Sequence, residues 1–120
     1  MLVRYAANFL TNLDAIETFW DSNAFSEGFD RLIDELTGKV VPNLERHPKF
    51  GRDFLARSAD TADVQSKIEH ICRVYATGSS LPQLREYVMT DYLLLYVLGT
   101  DAIDLLAVKH HKQLSFDIHI

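Results

Sequence analysis

The apolar residues of this chain follow a helical period in the first half and gather into short runs in the last third. From Phe9 they recur at Leu13, Ile16 and Trp20, spaced four, three and four, which marks one face of a helix. Asn8 is the candidate cap of that helix, and Asp21-Ser22-Asn23 supplies its break. Phe25, Phe29, Leu32, Ile33, Leu36, Val40 and Leu44 predict the inner stripe of a second helix. Gly38 within it costs about 1 kcal/mol against alanine. Pro42 is where this helix kinks or restarts, and His47-Pro48 ends it. Ahead of both helices, Leu2 to Tyr5 is a brief β-prone start.

From Leu84 to Asp117 the pattern changes. Three apolar runs stand in close succession, split by Met89-Thr90-Asp91 and by Gly99-Thr100-Asp101. They predict strands near Leu84–Met89, Tyr92–Leu98 and Ile103–His110, joined as an antiparallel meander. The last run breaks into Lys109, His110, His111 and Lys112, delivering titratable side chains to one end of the sheet. Val64, Ile68, Ile71 and Tyr75 predict a further helix that opens at Asp60 or Thr61 and is closed by Gly78-Ser79-Ser80 with Pro82 beyond. The predicted order is β-α-α-(α)-β-β-β, an α+β fold. In it an antiparallel sheet is covered on one face by a helical hairpin, with a third helix inserted before the meander. No repeat or boundary divides residues 1–120, which read as a single domain.

Composition narrows the class. With 48% apolar and 24% charged residues, the chain is globular material able to bury a core. Its single cysteine, Cys72, rules out an internal disulfide and suits a reducing compartment; it reads as a small buried hydrophobe. No apolar run approaches the roughly 20 residues needed to span a bilayer, and the N-terminus lacks the regions of a signal peptide. A soluble, cytoplasmic, bacterial-type protein with no membrane partner is the expectation. Twelve basic against seventeen acidic residues give a net charge of −5, which counts against extensive contact with nucleic acid. A local basic face around Arg46, Lys49, Arg52 and Arg57 remains open, with a solvated loop as the alternative.

The meander phrases LREY, Tyr92-Leu93-Leu94-Leu95-Tyr96 and Lys109-His110-His111-Lys112-Gln113-Leu114 resemble those of the RelE/ParE superfamily. These are the toxins of type II toxin–antitoxin (plasmid stabilisation) pairs. FDRLIDEL and PNLERHPKFGRDF look like that family's second helix and following loop, and residues 58–80 exceed its minimal pattern. The resemblance implies a toxin that inhibits growth and is neutralised by a cognate antitoxin. The antitoxin's disordered C-terminal segment would fold across the toxin, giving a hetero-oligomer with it or a homo-oligomer. Two activities follow from the family. One is ParE-like poisoning of DNA gyrase by binding. The other is RelE-like, ribosome-dependent cleavage of mRNA, which would make the chain an endoribonuclease. The RelE-like class carries an arginine directly after the first tyrosine of the strand resembling Tyr92–Tyr96; here that position is Leu93. The missing arginine and the acidic charge fit a ParE-like or divergent activity, and a degenerate, non-toxic member is a third reading.

If the chain is an enzyme, His111 is the candidate acid or base and Arg85 the candidate phosphate cation. Lys109, His110, Lys112 and Arg52 are candidates for target binding. Each has a plainer alternative. His111 also reads as a surface histidine between lysines, Arg85 as an exposed ion pair with Glu86, and Tyr92 and Tyr96 as core aromatics. Adjacent strand residues point to opposite faces, so His110 and His111 make a poor chelate. Neither His70 nor His119 stands at a ligand spacing, and no metal or other cofactor is expected.

Overall fold

The computed structural model describes residues 1–54, 62–75, 83–113 and 116–118. Arg57, Asp60, Thr61, the 78–82 closure, Leu114 and His119 lie outside these, and so does the side chain of Cys72. The chain runs β1 (Leu2–Tyr5), α1 (Ala7–Ser22), α2 (Glu27–Glu35), a π-helical stretch (Leu36–Val40) and α3 (Val41–Arg46). It continues with β2 (Arg52–Asp53), α4 (Ala62–Tyr75), β3 (Gln83–Val88), β4 (Tyr92–Leu98) and β5 (Ala102–His110). The fold is α+β, built on one five-stranded sheet in the order β1-β5-β4-β3-β2.

The sheet is mixed, not antiparallel throughout. β1 lies parallel to β5, with Leu2 opposite Ala102 and Tyr5 opposite Leu105, while the other neighbours are antiparallel. The helical hairpin separates β1 from the meander, so β1 returns to the sheet from a long crossover, as a parallel neighbour must. Arg4 fastens this edge by a bidentate pair with Asp104 at 2.9 Å.

Nor is the sheet covered on one face only. Every residue of β4 is buried, and so is every residue of β5 up to Lys109. The hairpin face packs Phe9, Leu32, Leu36, Val40 and Leu44 against Tyr92, Leu94, Tyr96, Ile103 and Leu105. The opposite face packs Ile71 of α4, Phe54 and Phe116 against Leu84, Leu93, Leu95 and Val97. YLLLYVL shows no alternation because neither of its faces meets water.

Asn8 does not cap α1. Ala6, extended and without a side-chain cap bond, precedes the helix and donates its N–H to Leu105 O, continuing the β1–β5 ladder. Asn8 and Asn12, one turn apart on α1, instead satisfy β5 where β1 no longer covers it. Asn8 donates to Leu106 O at 2.9 Å, and Asn12 accepts the Val108 N–H at 3.1 Å. Leu106 is the extra residue of a bulge, since Leu95 faces Ala107 while Tyr96 faces Leu105. Both asparagines also donate to Asp117 O, tying the C-terminal segment to α1.

Helix two is read through as one stripe because of its π-helical stretch. Leu32, Leu36, Val40 and Leu44 are spaced four, four and four, yet all are at most 3% exposed. Twelve residues of an unbroken α-helix overshoot three turns by about 120°. The Val41 N–H bonds to Leu36 O across five residues, and the extra residue takes up about 100° of that drift. The stretch also precedes Pro42, where a regular helix would lose a hydrogen bond and meet a clash.

Candidate functional site

At the end of the sheet where β4 begins and β5 finishes, three side chains from three elements form a wall. Trp20, in the last turn of α1, donates its Nε1–H to the Tyr92 hydroxyl at 3.0 Å. Tyr92 opens β4, and its ring meets that of His110 edge to face at 5.3 Å between centroids. Tyr92 and His110 are direct cross-strand partners, which places both on the hairpin face. Burial holds the Tyr92 phenol above its ordinary pKa and the Asp91 charge adds to this, while the Trp20 hydrogen bond works the other way.

A cleft opens on each side of this wall. One, of about 490 Å³, runs between α2 and the β3–β4 turn and is edged by Phe25, Arg31, Glu35, Lys39 and Asp91. Glu35 reaches across it to accept the Thr90 N–H and hydroxyl at 3.0 and 3.2 Å. The other, of about 510 Å³, runs between α1 and the end of β5, over Ile16, Phe19, Val108, Lys112 and Gln113. Phe19, 57% exposed, forms its apolar lip.

Trp20 is seated by its neighbours. Asn23 caps α1, Ala24 takes the left-handed conformation at φ 54°, and Phe25 N–H returns to Trp20 O at 2.9 Å. This is a Schellman ending, completed by the Trp20–Phe25 ring contact at 5.6 Å. The absence of a side chain at Gly28 lets the indole lie flat on α2, since a Cβ there would come within 2.5 Å of it.

Of the candidate residues, His110, His111 and Lys112 gather at this end, His110 closing β5 and the other two in the turn that follows it. His110 Nδ1 accepts the Lys112 N–H at 3.1 Å, and His111 Nε2 donates to Met89 O at 3.1 Å. His111 and Lys112 are exposed. Lys109 points to the other face and is 7% exposed. Its Nζ donates to Gln113 O at 2.7 Å and lies over the Phe116 ring.

Arg85 and Arg52 lie elsewhere. Arg85 pairs with Tyr96, four positions along β4 from Tyr92 and two strands from β5, so its backbone is roughly 15 Å from that of His110. It makes no ion pair with Glu86. Its guanidinium donates to Lys49 O, Gly51 O and Gln83 Oε1, holding the loop before β2. Arg52 pairs instead with Glu86, its cross-strand partner, at 2.7 Å, which satisfies a carboxylate only 2% exposed. The structure thus brings together one of the two candidate catalytic residues, His111, and two of the four candidate binders, His110 and Lys112.

Tyr96 completes the Arg85 loop. Its hydroxyl accepts the Gly51 N–H at 2.9 Å and donates to Pro48 O at 2.8 Å. Gly51 sits against that ring so closely that a Cβ would lie 2.7 Å from it. Burial raises the Tyr96 pKa, opposed by the Gly51 hydrogen bond and the Arg85 charge.

Chemically, the β5 turn offers two imidazoles and an exposed ammonium beside aromatic walls. Neither imidazole is hydrogen-bonded to a carboxylate among the described residues. Among the described residues, no group of three His, Cys, Asp or Glu is placed to hold a metal ion, and no helix is long and apolar enough to cross a membrane. Nothing in the sequence pattern marks Trp20, Gly28, Asn8 or Asn12 as a builder of this site, save that the two asparagines stand one turn apart on an otherwise apolar helix face. No family model matches the chain, and no curated protein matches it either.

Proposed function

We propose that this chain is the toxin component of a type II toxin–antitoxin module, acting in the bacterial cytoplasm and neutralised by a cognate antitoxin. It arrests growth by binding its target in the ParE-like manner, with DNA gyrase as the expected target, and not by cutting RNA. The observation that carries this reading is the closed sheet. Leu93, Leu95 and Val97, which face away from the hairpin, are buried under Ile71, Phe54 and Phe116. Arg85, Arg52 and Lys109 are engaged in contacts that hold the fold. RNA cleavage needs cations gathered around a phosphate beside a base, and these three do not converge on His111. The order of an N-terminal strand, a helical hairpin and a C-terminal meander supports the family resemblance.

A RelE-like endoribonuclease is the second reading, favoured by the exposure of His111 and Lys112 in one turn. Inducible expression in a bacterium, scoring growth, transcript integrity and plasmid supercoiling, separates the two. Growth arrest with intact transcripts and disturbed supercoiling is expected. Arrest with cut transcripts that is abolished by His111→Ala would establish the nuclease instead. Growth without arrest would leave a degenerate member of the family.

A further inference from the structure

We propose that the turn closing β5 is a protonation-controlled latch, with His110 as its sensor and Lys112 as the group it positions. The Lys112 N–H points at Nδ1 of His110 over 3.1 Å, so that nitrogen carries a lone pair and the ring's proton sits on Nε2. This is the geometry of an Asx-turn, with an imidazole nitrogen where asparagine would offer its oxygen. The same turn is closed by Gln113 N–H to His110 O at 3.0 Å and by His110 N–H to Gln113 Oε1 at 2.9 Å. A second proton on the ring can go only to Nδ1. There it replaces the acceptor with a donor that faces the Lys112 N–H.

The neighbouring imidazole behaves oppositely. His111 Nε2 donates to Met89 O, and a donor remains a donor when the ring is charged. The His111 N–H also holds Asp91 O at 3.0 Å. Imidazoles change charge between about pH 5 and 8. Acid therefore opens the His110 latch and leaves the His111 anchor closed.

Groups of both signs face His110. Trp20 of α1 and Tyr92 of β4 wall it, and Asp91 precedes Tyr92. Arg31, Glu35 and Lys39 stand across the α2 cleft, with Lys112 and Asp117 across the α1 cleft. On the opposite face, Lys109 is bound to Gln113 O, so loosening Gln113 also loosens the Lys109 contact. The latch involves only the turn and does not depend on the chain being a toxin.

Hydrogen exchange of the Lys112 and Gln113 amides, followed by NMR at pH 8 and pH 5 on the full chain, tests it. Rates are taken relative to those of an unstructured peptide at the same pH. Protection is expected to fall about tenfold on acidification in the native chain. His110→Asn keeps an acceptor at the Nδ1 position that does not titrate, so its protection should stay high and flat. His110→Ala should be low at both pH values, and His111→Gln should keep the native pH dependence. Flat protection in the native chain, or an equal fall in His110→Asn, would overturn the proposal.

Discussion

Replacing Gly28 by alanine tests the Trp20 wall most directly. The new methyl would lie 2.5, 2.6 and 2.9 Å from Cδ2, Cε2 and Cε3 of the indole. Carbon atoms in good contact stand about 3.5–4.0 Å apart, so the ring must retreat by about 1 Å or more. Its retreat is resisted by Tyr92 on one side and by the rings of Phe19 and Phe25 on others. Overpacking of this kind costs about 1–3 kcal/mol, and loss of the indole–phenol hydrogen bond adds about 1 kcal/mol. The gain in helix propensity offsets at most about 1 kcal/mol, which leaves a net loss of about 1–3 kcal/mol. An unfolding entropy of about 2.1 cal/mol/K per residue gives roughly 0.25 kcal/mol/K for a chain of this length. The melting temperature should therefore fall by about 4–12 °C. Trp20 is the only tryptophan, so its emission should shift to the red as the ring moves into water. In a Trp20→Ala background the same Gly28→Ala change should cost almost nothing, because the clash partner is gone. An unchanged melting temperature and emission, or an equal cost in both backgrounds, would refute the packing argument.

Three further outcomes are expected. Ala24→Gly should raise stability by about 1 kcal/mol, since an L-residue in the left-handed region bears about 1–2 kcal/mol of strain that glycine lacks; a thermal melt that fails to rise would count against the helix ending described. Arg85→Lys should destabilise by about 2 kcal/mol, because an ammonium cannot span the carbonyls of Lys49 and Gly51 together. If the chain is the toxin proposed above and Arg85 only holds the loop, growth arrest per folded molecule should survive that change, and loss of arrest with an unchanged melt would point to a direct role. Tyr92 and Tyr96 titrate above the ordinary phenol value in the folded chain, so the folded state keeps protons that the unfolded state has released. Their contribution is full below about pH 10 and is lost as pH rises from there through the folded values. Denaturant midpoints should fall along that limb, and less steeply in Tyr96→Phe.

Local patterning located the main helices and four of the five strands among the described residues; β2, two residues with no apolar run, carried no such signal. The strand ends read from the apolar runs differ from the observed ones by a single residue at most, and Leu2–Tyr5 and Tyr92–Leu98 coincide with them. Alternation and helical spacing are local consequences of where side chains point, so they are legible in a linear chain. The gathering of His110, His111 and Lys112 at one end was equally legible, because consecutive residues cannot be far apart.

The pairings across the chain were decided only on folding. The sequence offered Glu86 as Arg85's partner by adjacency, yet neighbours on a strand face opposite ways, and Glu86 turned to Arg52 on the next strand. Asn8 had the composition of a cap, but the bulge at Leu106 left β5 backbone groups that Asn8 and Asn12 were placed to satisfy. The sequence led to a sheet covered on one face, and only the fold showed that α4, Phe54 and Phe116 provide a second cover. Local patterns state what each segment must bury or bond. Which distant residue answers that need depends on register and crossover, and those are properties of the assembled sheet.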